Sequence, residues 1–334
     1  MSISTRRLWR AHPAPNRIIW GAYIDGSTYG AGYQNAPWDT NAWNLFEAHA
    51  GKKVSVLHFG FTPWWEDPFY AGTAESAVQR GAYAFIDMMI PNGSGVTLAN
   101  ITAGAQDGSW RTWVRAAKAW GKPFLFRWCG EMNGDWQDYG KEEIARPGSF
   151  VAAWRHLKDI ADSEGATNIT WVWCPNVDYG GPLSFAQVYP GDAYVDWTGL
   201  DGYNWGTSGS TTWPEQWTSW DTVFRTSYDA VVALAPTKPM IIAETACNEG
   251  GGSKAAWITD ALVAQLPHHY PRIRALTWFN WPIYENGVTQ QWPIESSPAA
   301  QAAFATAIAS PYYLPASTSL PLLNDTSCRK VPAP

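Results

Sequence analysis

The sequence predicts an α/β chain built as a single (β/α)8 TIM barrel, and three observations carry that expectation. Short runs rich in β-branched and aromatic residues recur along the chain, each closed by a polar residue or glycine. Stretches with helical period lie between them. The turn after the first run, "YIDGSTYGAGY", is not a glycine-rich phosphate loop, which disfavours a doubly wound open sheet, the competing arrangement. With 334 residues, 46% hydrophobic and 16% charged, the chain has apolar material for one large core. The predicted organisation is an N-terminal extension over residues 1–17, the barrel over 18–312, and a Pro/Ser-rich C-terminal tail or linker over 313–334.

In chain order the predicted strands are "RIIWGAYID", "VSVLHFG", "VTLANITAG", "PFLFRWCGE", "ITWVWCPN", "VDWTGLDGYN", "PMIIAETA" and "IRALTWFN". Each is short and dense in residues that pack well on a pleated surface. The predicted helices are "TNAWNLFEAHAG", "ESAVQRGAYAFIDMMI", "SWRTWVRAAKAWG", "GSFVAAWRHLKDIADSEG", "WDTVFRTSYDAVVALA", "SKAAWITDALVAQL" and "SPAAQAAFATAIAS". Several open on Ser, Thr or Asp and some close on Gly, as helix caps do. In the third, Trp110, Trp113, Val114, Ala117 and Trp120 share one face. The segment after "WVWCPN" is Gly/Pro-rich and least helical, and no repeat of solenoid length occurs.

Composition narrows the function classes. A net charge of -6 offers no basic stripe for nucleic acid. No run approaches the roughly 18 apolar residues of a membrane span. The first residues, "MSISTRRLWRAHPAPNR", lack the apolar core of a secretion signal. Cys129, Cys174 and Cys247 sit at or near the ends of apolar runs; a Cys129–Cys174 bridge is geometrically open, but buried free thiols are the expectation. No CxxC or HExxH spacing occurs, so neither a metal nor another cofactor is expected. The 23 tryptophans exceed what a core normally uses, because a buried indole N–H needs a partner. Rings in a groove would suit sugars, which present C–H faces and a rim of hydroxyls.

Sites in such barrels lie at the C-terminal ends of the strands. The fourth run ends in Glu131 and the seventh carries Glu244, and these strands face one another across the mouth. Retaining glycoside hydrolysis needs such a pair, one carboxylate attacking while the other delivers a proton. Arg127, four residues before Glu131, should face the same interior and hold Glu244 ionised. Tyr203, ending the sixth run, is placed to donate to Glu244. Asp25, His58, Asn133, Asn176, Asp201, Asn204 and Trp205 close other runs and are candidate sugar contacts. Trp64 and Trp65 follow the second run in a loop and are assigned to the groove.

The motifs "FLFRWCGEMNGDW", "DWTGLDGYNWG", "KPMIIAETACNEGGGSKAAWI" and "IRALTWFNW" together resemble glycoside hydrolase family 26, in this order and across residues 18–310. The resemblance implies a retaining barrel enzyme with Glu131 as acid/base, Glu244 as nucleophile and Tyr203 as the nucleophile's hydrogen-bond donor. It also implies that Trp136 shapes the cleavage site, and that Trp278 or Trp281, with Trp278 favoured, stacks on sugar. One departure is Gly130, where the family usually has histidine; Trp128 and Cys129 are expected to refill that space, and the sugar preference is left open.

The resulting expectation is a retaining endo-β-glycanase acting on a polysaccharide or oligosaccharide, with β-1,4-mannan as the leading substrate by family frequency. A β-1,3-1,4-glucanase (lichenase), a β-1,3-xylanase and a bacterial surface-polysaccharide hydrolase are the alternatives. An inactive carbohydrate-binding barrel is the non-enzyme alternative. The substrate class implies an extracellular or particle-surface location, and the tail suggests a further module or larger assembly.

Overall fold

The computed structural model describes residues 17–208 and 216–317. Eight strands form a parallel barrel: β1 (Ile18–Ile24), β2 (Val56–Gly60), β3 (Tyr83–Met88), β4 (Phe124–Trp128), β5 (Ile169–Trp173), β6 (Trp197–Asn204), β7 (Met240–Cys247) and β8 (Ile273–Asn280). Neighbours pair in sequence order, and β8 closes on β1 from Ile19↔Ala275 to Ile24↔Asn280. A closed parallel sheet has no edge, and its strands are buried on both faces, which is why they read as nearly unbroken apolar runs.

The two faces hold different cores. Inside the barrel, Val56, Phe85, Leu125, Val172, Ile241 and Ala275 fill the axis. Outside, ten tryptophans among the described residues are fully buried: Trp20, Trp43, Trp110, Trp113, Trp128, Trp154, Trp171, Trp173, Trp220 and Trp278. Several join the strands to the helical layer, as Trp110 does against Phe126 and Trp171. The tryptophan excess is therefore mainly a packing device between sheet and helices. Several buried indoles still find acceptors, such as Trp110 Nε1 on the Leu157 carbonyl at 2.9 Å and Trp154 Nε1 on the Tyr194 carbonyl at 2.9 Å.

Helix ends follow the local chemistry. Asp39 caps helix Thr40–Ala50 by accepting from the Asn41 and Ala42 amides, and Gly51 ends it in the left-handed region at φ 69°. Ser219, Ser253 and Ser297 cap later helices in the same way.

One predicted strand is misplaced. "VTLANITAG" is not a strand; its centre is the short helix Leu98–Thr102, started by Thr97, whose hydroxyl accepts from the Asn100 amide at 3.1 Å. The third strand instead lies in the second half of the segment predicted as one long helix. That helix covers only Ala71–Gln79, and Gly81 at φ 82° turns the chain out of it and into β3.

From residue 313 to 317 the chain stays on the barrel. Tyr313–Leu314 pairs in parallel with β1, and the Ser317 amide donates to the Gly81 carbonyl at 2.8 Å. Residues 1–16 of the predicted extension and 318–334 of the tail, with Cys328, lie outside the described residues. Cys129, Cys174 and Cys247 are buried free thiols. Among the described residues no helix is long and apolar enough to cross a membrane.

Barrel closure leaves no room for side chains at the tightest strand contacts. A Cβ on Gly21 would sit 1.6 Å from the Val56 carbonyl oxygen, whereas one on Gly72, in a helix, would meet nothing within 4 Å. Gly21→Ala should therefore destabilise by about 3 kcal/mol or more. Gly72→Ala should be neutral or stabilising by up to about 1 kcal/mol. Urea denaturation of the two variants checks this, and equal effects would contradict the assigned β1–β2 register.

Candidate active site

The site is built around Arg127 on β4. Its guanidinium, 3% exposed, donates from Nε and Nη2 to both oxygens of Asp87 at 2.9 and 2.8 Å. Nη1 donates to Asp201 Oδ2 at 2.7 Å, and Nη2 also donates to Glu244 Oε1. Asp87 is the penultimate residue of β3, Asp201 lies in β6 and Glu244 in β7, so one cation ties together residues from four strands. Burial works to raise the Asp87 carboxyl, but Arg127 outweighs it and holds that group below the usual range. At Asp201 burial wins, reinforced by the Glu244 and Glu131 charges, and its carboxyl is pushed up against the pull of Arg127.

Two backbone irregularities aim the glutamates. In β7 the pairing with β6 shifts between Leu200↔Ile242 and Asp201↔Glu244, so Ala243 is the extra residue of a bulge. Ala243 belongs to the axial core, yet the next residue, Glu244, also reaches inward to Arg127. A regular strand would have sent one of them out. At the end of β4, Cys129 and Glu131 both adopt positive φ, 47° and 57°, around Gly130. The Cys129 amide still pairs with Met88 of β3 at 2.8 Å, whereas the Glu131 amide pairs with Cys174 beyond β5 at 2.8 Å. The chain thus crosses from one neighbour to the other within two residues, a strained path held from both sides.

The two carboxyl groups receive opposite environments. Glu244 accepts from Arg127 on Oε1 and from the Tyr203 hydroxyl on Oε2 at 2.5 Å, so a donor engages each of its oxygens. Burial, then the Glu244 charge, keeps the Tyr203 hydroxyl protonated and available as that donor. Glu131 lies outside the guanidinium network, its Oε2 accepting one bond from Trp136 Nε1 at 2.8 Å. Burial, then the charge of Glu244, raises its pKa from 4.5 to about 8.

Other residues expected at the site separate into three groups. Trp281 is half-buried and stacks on Tyr23 at 5.7 Å, and Trp205 packs at 5.8 Å beside Tyr203, the residue that donates to Glu244. His58 is buried, stacks on Phe85 at 4.4 Å, and has no partner for either ring nitrogen. Burial and the Arg127 charge lower its pKa to about 3, so it is a neutral imidazole. His58, Asp87 and Glu244 place ligand-type atoms within 4.8 Å of one another, but both carboxylates already bind Arg127.

Asn133, Asn176, Asp201, Asp25 and Asn204 serve the framework. The Asn133 side chain donates to the Asn176 carbonyl and accepts from the Asn176 backbone amide, both at 2.9 Å, which joins the β4 and β5 loops through the backbone of Asn176. Asp201 is fully buried on Arg127, Asp25 caps a short turn by accepting from the Ser27 amide at 2.9 Å, and Asn204 holds the Gly206 and Thr218 amides.

Trp278 and Trp64 do not line the groove. Trp278 points outward from β8, packs on Phe304 at 5.3 Å, and donates to the Trp292 carbonyl at 2.9 Å. Trp64 is 3% exposed against Trp110 and Trp128, with Trp65 half-buried edge-on to it. Nor do Trp128 and Cys129 fill the space at Gly130. Trp128 stacks outward on Phe150, and a Cβ on Gly130 would meet Arg127 Nε at 3.0 Å.

Three residues were missed in the sequence. Asp87 was hidden in the predicted helix. Trp292 stacks on Tyr203 at 4.4 Å and 19°, backing the hydroxyl that serves Glu244. Lys254, fully buried, fixes that segment by donating to the Pro293 carbonyl at 2.8 Å, the Trp292 carbonyl at 3.2 Å and Ser296 Oγ at 2.9 Å.

A parallel barrel that carries two glutamates in opposite environments at its mouth has the arrangement of barrel glycosidases. A sequence model for Glycosyl hydrolase family 26 matches residues 110–261, which include both glutamates. Endoglucanase H of Acetivibrio thermocellus is 36% identical over 303 residues, covering 86% of this chain and 31% of that protein. A mannan endo-1,4-beta-mannosidase of Bacillus subtilis is 27% identical over 165 residues, covering 47% of this chain and 39% of its own length. The GH26 beta-mannanase BoMan26A of Bacteroides ovatus superposes with a TM-score of 0.62 at 16% identity, covering 95% of this chain and 93% of that one. The chain belongs to glycosyl hydrolase family 26, and it spans about a third of the length of the endoglucanase it matches.

The raised pKa of Glu131 makes a thermodynamic prediction. The folded chain holds this proton more tightly than the unfolded chain, so the stability it contributes is complete below pH 4.5 and is lost as pH rises to about 8. Glu131→Gln should remove that loss, becoming more stable relative to wild type at pH 9 than at pH 4. Parallel stability profiles in urea would contradict the environment assigned to Glu131.

Proposed function

We propose that this chain is a retaining endo-β-glycanase. The observation that carries the reading is the unequal treatment of the two glutamates. Glu244 has both oxygens bound by donors, which suits a carboxylate that attacks carbon better than one that must strip a proton from water. Glu131, with its pKa near 8, holds a proton at neutral pH and can deliver it to the departing sugar oxygen. Glu244 then forms the bond to the anomeric carbon as the glycosidic bond breaks. Glu131, now ionised, takes a proton from the water that releases the sugar from Glu244.

β-1,4-Mannan is the substrate proposed first, in keeping with the mannosidase relative. Endoglucanase H, which aligns over 86% of the chain, is named an endoglucanase, which makes β-glucan the second reading. Hydrolysis of such polymers places the proposed activity outside the cell or on a particle surface.

Reducing-sugar release from mannan, mixed-linkage glucan, cellulose derivatives and β-1,3-xylan tests the proposal. Wild type should release sugar from at least one polymer, and Glu131→Gln and Glu244→Gln should each lose about 10²-fold or more in kcat on it. Early products should be β-anomers by NMR. A wild type that binds a polymer without cleaving it would favour a carbohydrate-binding barrel, and an α-anomer would exclude retention.

A further inference from the structure

Two aromatic rings stand exposed beside Glu131, and each is seated on a glycine. Trp136 is 37% exposed and Tyr179 is 44% exposed, whereas ten tryptophans among the described residues are completely buried. Their centroids are 5.2 Å apart and their planes 56° from parallel, so they form an open angle rather than a closed stack. A Cβ on Gly134 would come within 2.3 Å of the Trp136 ring, and one on Gly181 within 2.2 Å of the Tyr179 ring.

The polar tips of both rings are also fixed. Trp136 Nε1 donates to Glu131 Oε2 at 2.8 Å, and the Tyr179 hydroxyl donates to the Asn133 carbonyl at 3.3 Å. The loops that carry them are joined by the two bonds between the Asn133 side chain and the Asn176 backbone. Rings held in this way lose little freedom when a ligand arrives, which is what a binding platform requires.

Direction follows from Glu131. The group that protonates the departing oxygen lies on the leaving-group side of the bond, and Trp136 is bonded to its carboxyl. We infer that Trp136 and Tyr179 form a preformed shelf for the departing sugar unit, with Tyr179 as a specificity-determining contact that takes a sugar C–H face. The inference rests on Glu131 acting as the proton donor.

The test compares two substrates that share the same sugars on the retained side. One is an oligosaccharide of the polymer that wild type cleaves; the other is its 2,4-dinitrophenyl β-glycoside, whose leaving group has no sugar to bind and needs no proton. The loss of kcat/KM in Tyr179→Ala should be about tenfold larger on the oligosaccharide than on the aryl glycoside, a typical value for a lost aromatic contact. Gly181→Ala should reproduce that selectivity, because the added methyl displaces only the far edge of the Tyr179 ring and leaves the fold intact. It decides the matter if Tyr179→Ala does not fold. Tyr179→Phe should keep the wild-type ratio. An active wild type whose variants lose equally on both substrates, or on neither, overturns the shelf. A wild type inactive on both substrates overturns the glycanase reading, and the shelf with it.

Discussion

The site depends on how one buried guanidinium is shared. Arg127 faces Asp87, Asp201 and Glu244, three carboxylates against a single cation, and all three bond to it. Burying that charge without partners would cost several kcal/mol, so the arginine and its carboxylates are committed to one another. Glu131 receives no part of this cation by hydrogen bond and sits near the Glu244 charge, so it keeps its proton. The unequal environments of two chemically identical side chains thus follow from which of them touches Arg127.

The barrel could not deliver this arrangement from regular strands alone. A bulge at Ala243 turns Glu244 inward next to a residue that already faces inward. A left-handed step at Cys129 and another at Glu131 carry the other carboxyl from the β3 side to the β5 side. Behind Tyr203, Trp292 forms a flat backing, and its carbonyl is held by Lys254 and Trp278. Reactive groups at the mouth are therefore placed by strained backbone near them and by buried donors farther out.

Much of this was legible in the sequence. Seven strands, both glutamates, Arg127 and Tyr203 could be read from apolar runs that end in polar residues. The third strand could not, because "GAYAFIDMM" continues an alanine-rich helix without a proline, and only Gly81 marks the break. Asp87 was lost with it. The choice between Trp278 and Trp281 depended on strand parity, but "IRALTWFNW" is apolar on both faces, so its pattern carries no phase. In the structure Ala275, Thr277, Phe279 and Trp281 share one parity and Trp278 has the other. Trp64 lay in a loop by sequence yet is buried under the helical layer, a tertiary outcome that no local signal records.

In the proposed reaction Glu244, held by Arg127 and Tyr203, is the group that bonds to carbon. Incubation with an activated 2-deoxy-2-fluoro β-glycoside of the preferred sugar, followed by proteolysis and mass spectrometry, tests it directly. The sugar should be found on the peptide containing Glu244. A label on Glu131, or turnover of the reagent through a path that leaves neither glutamate modified, would contradict it.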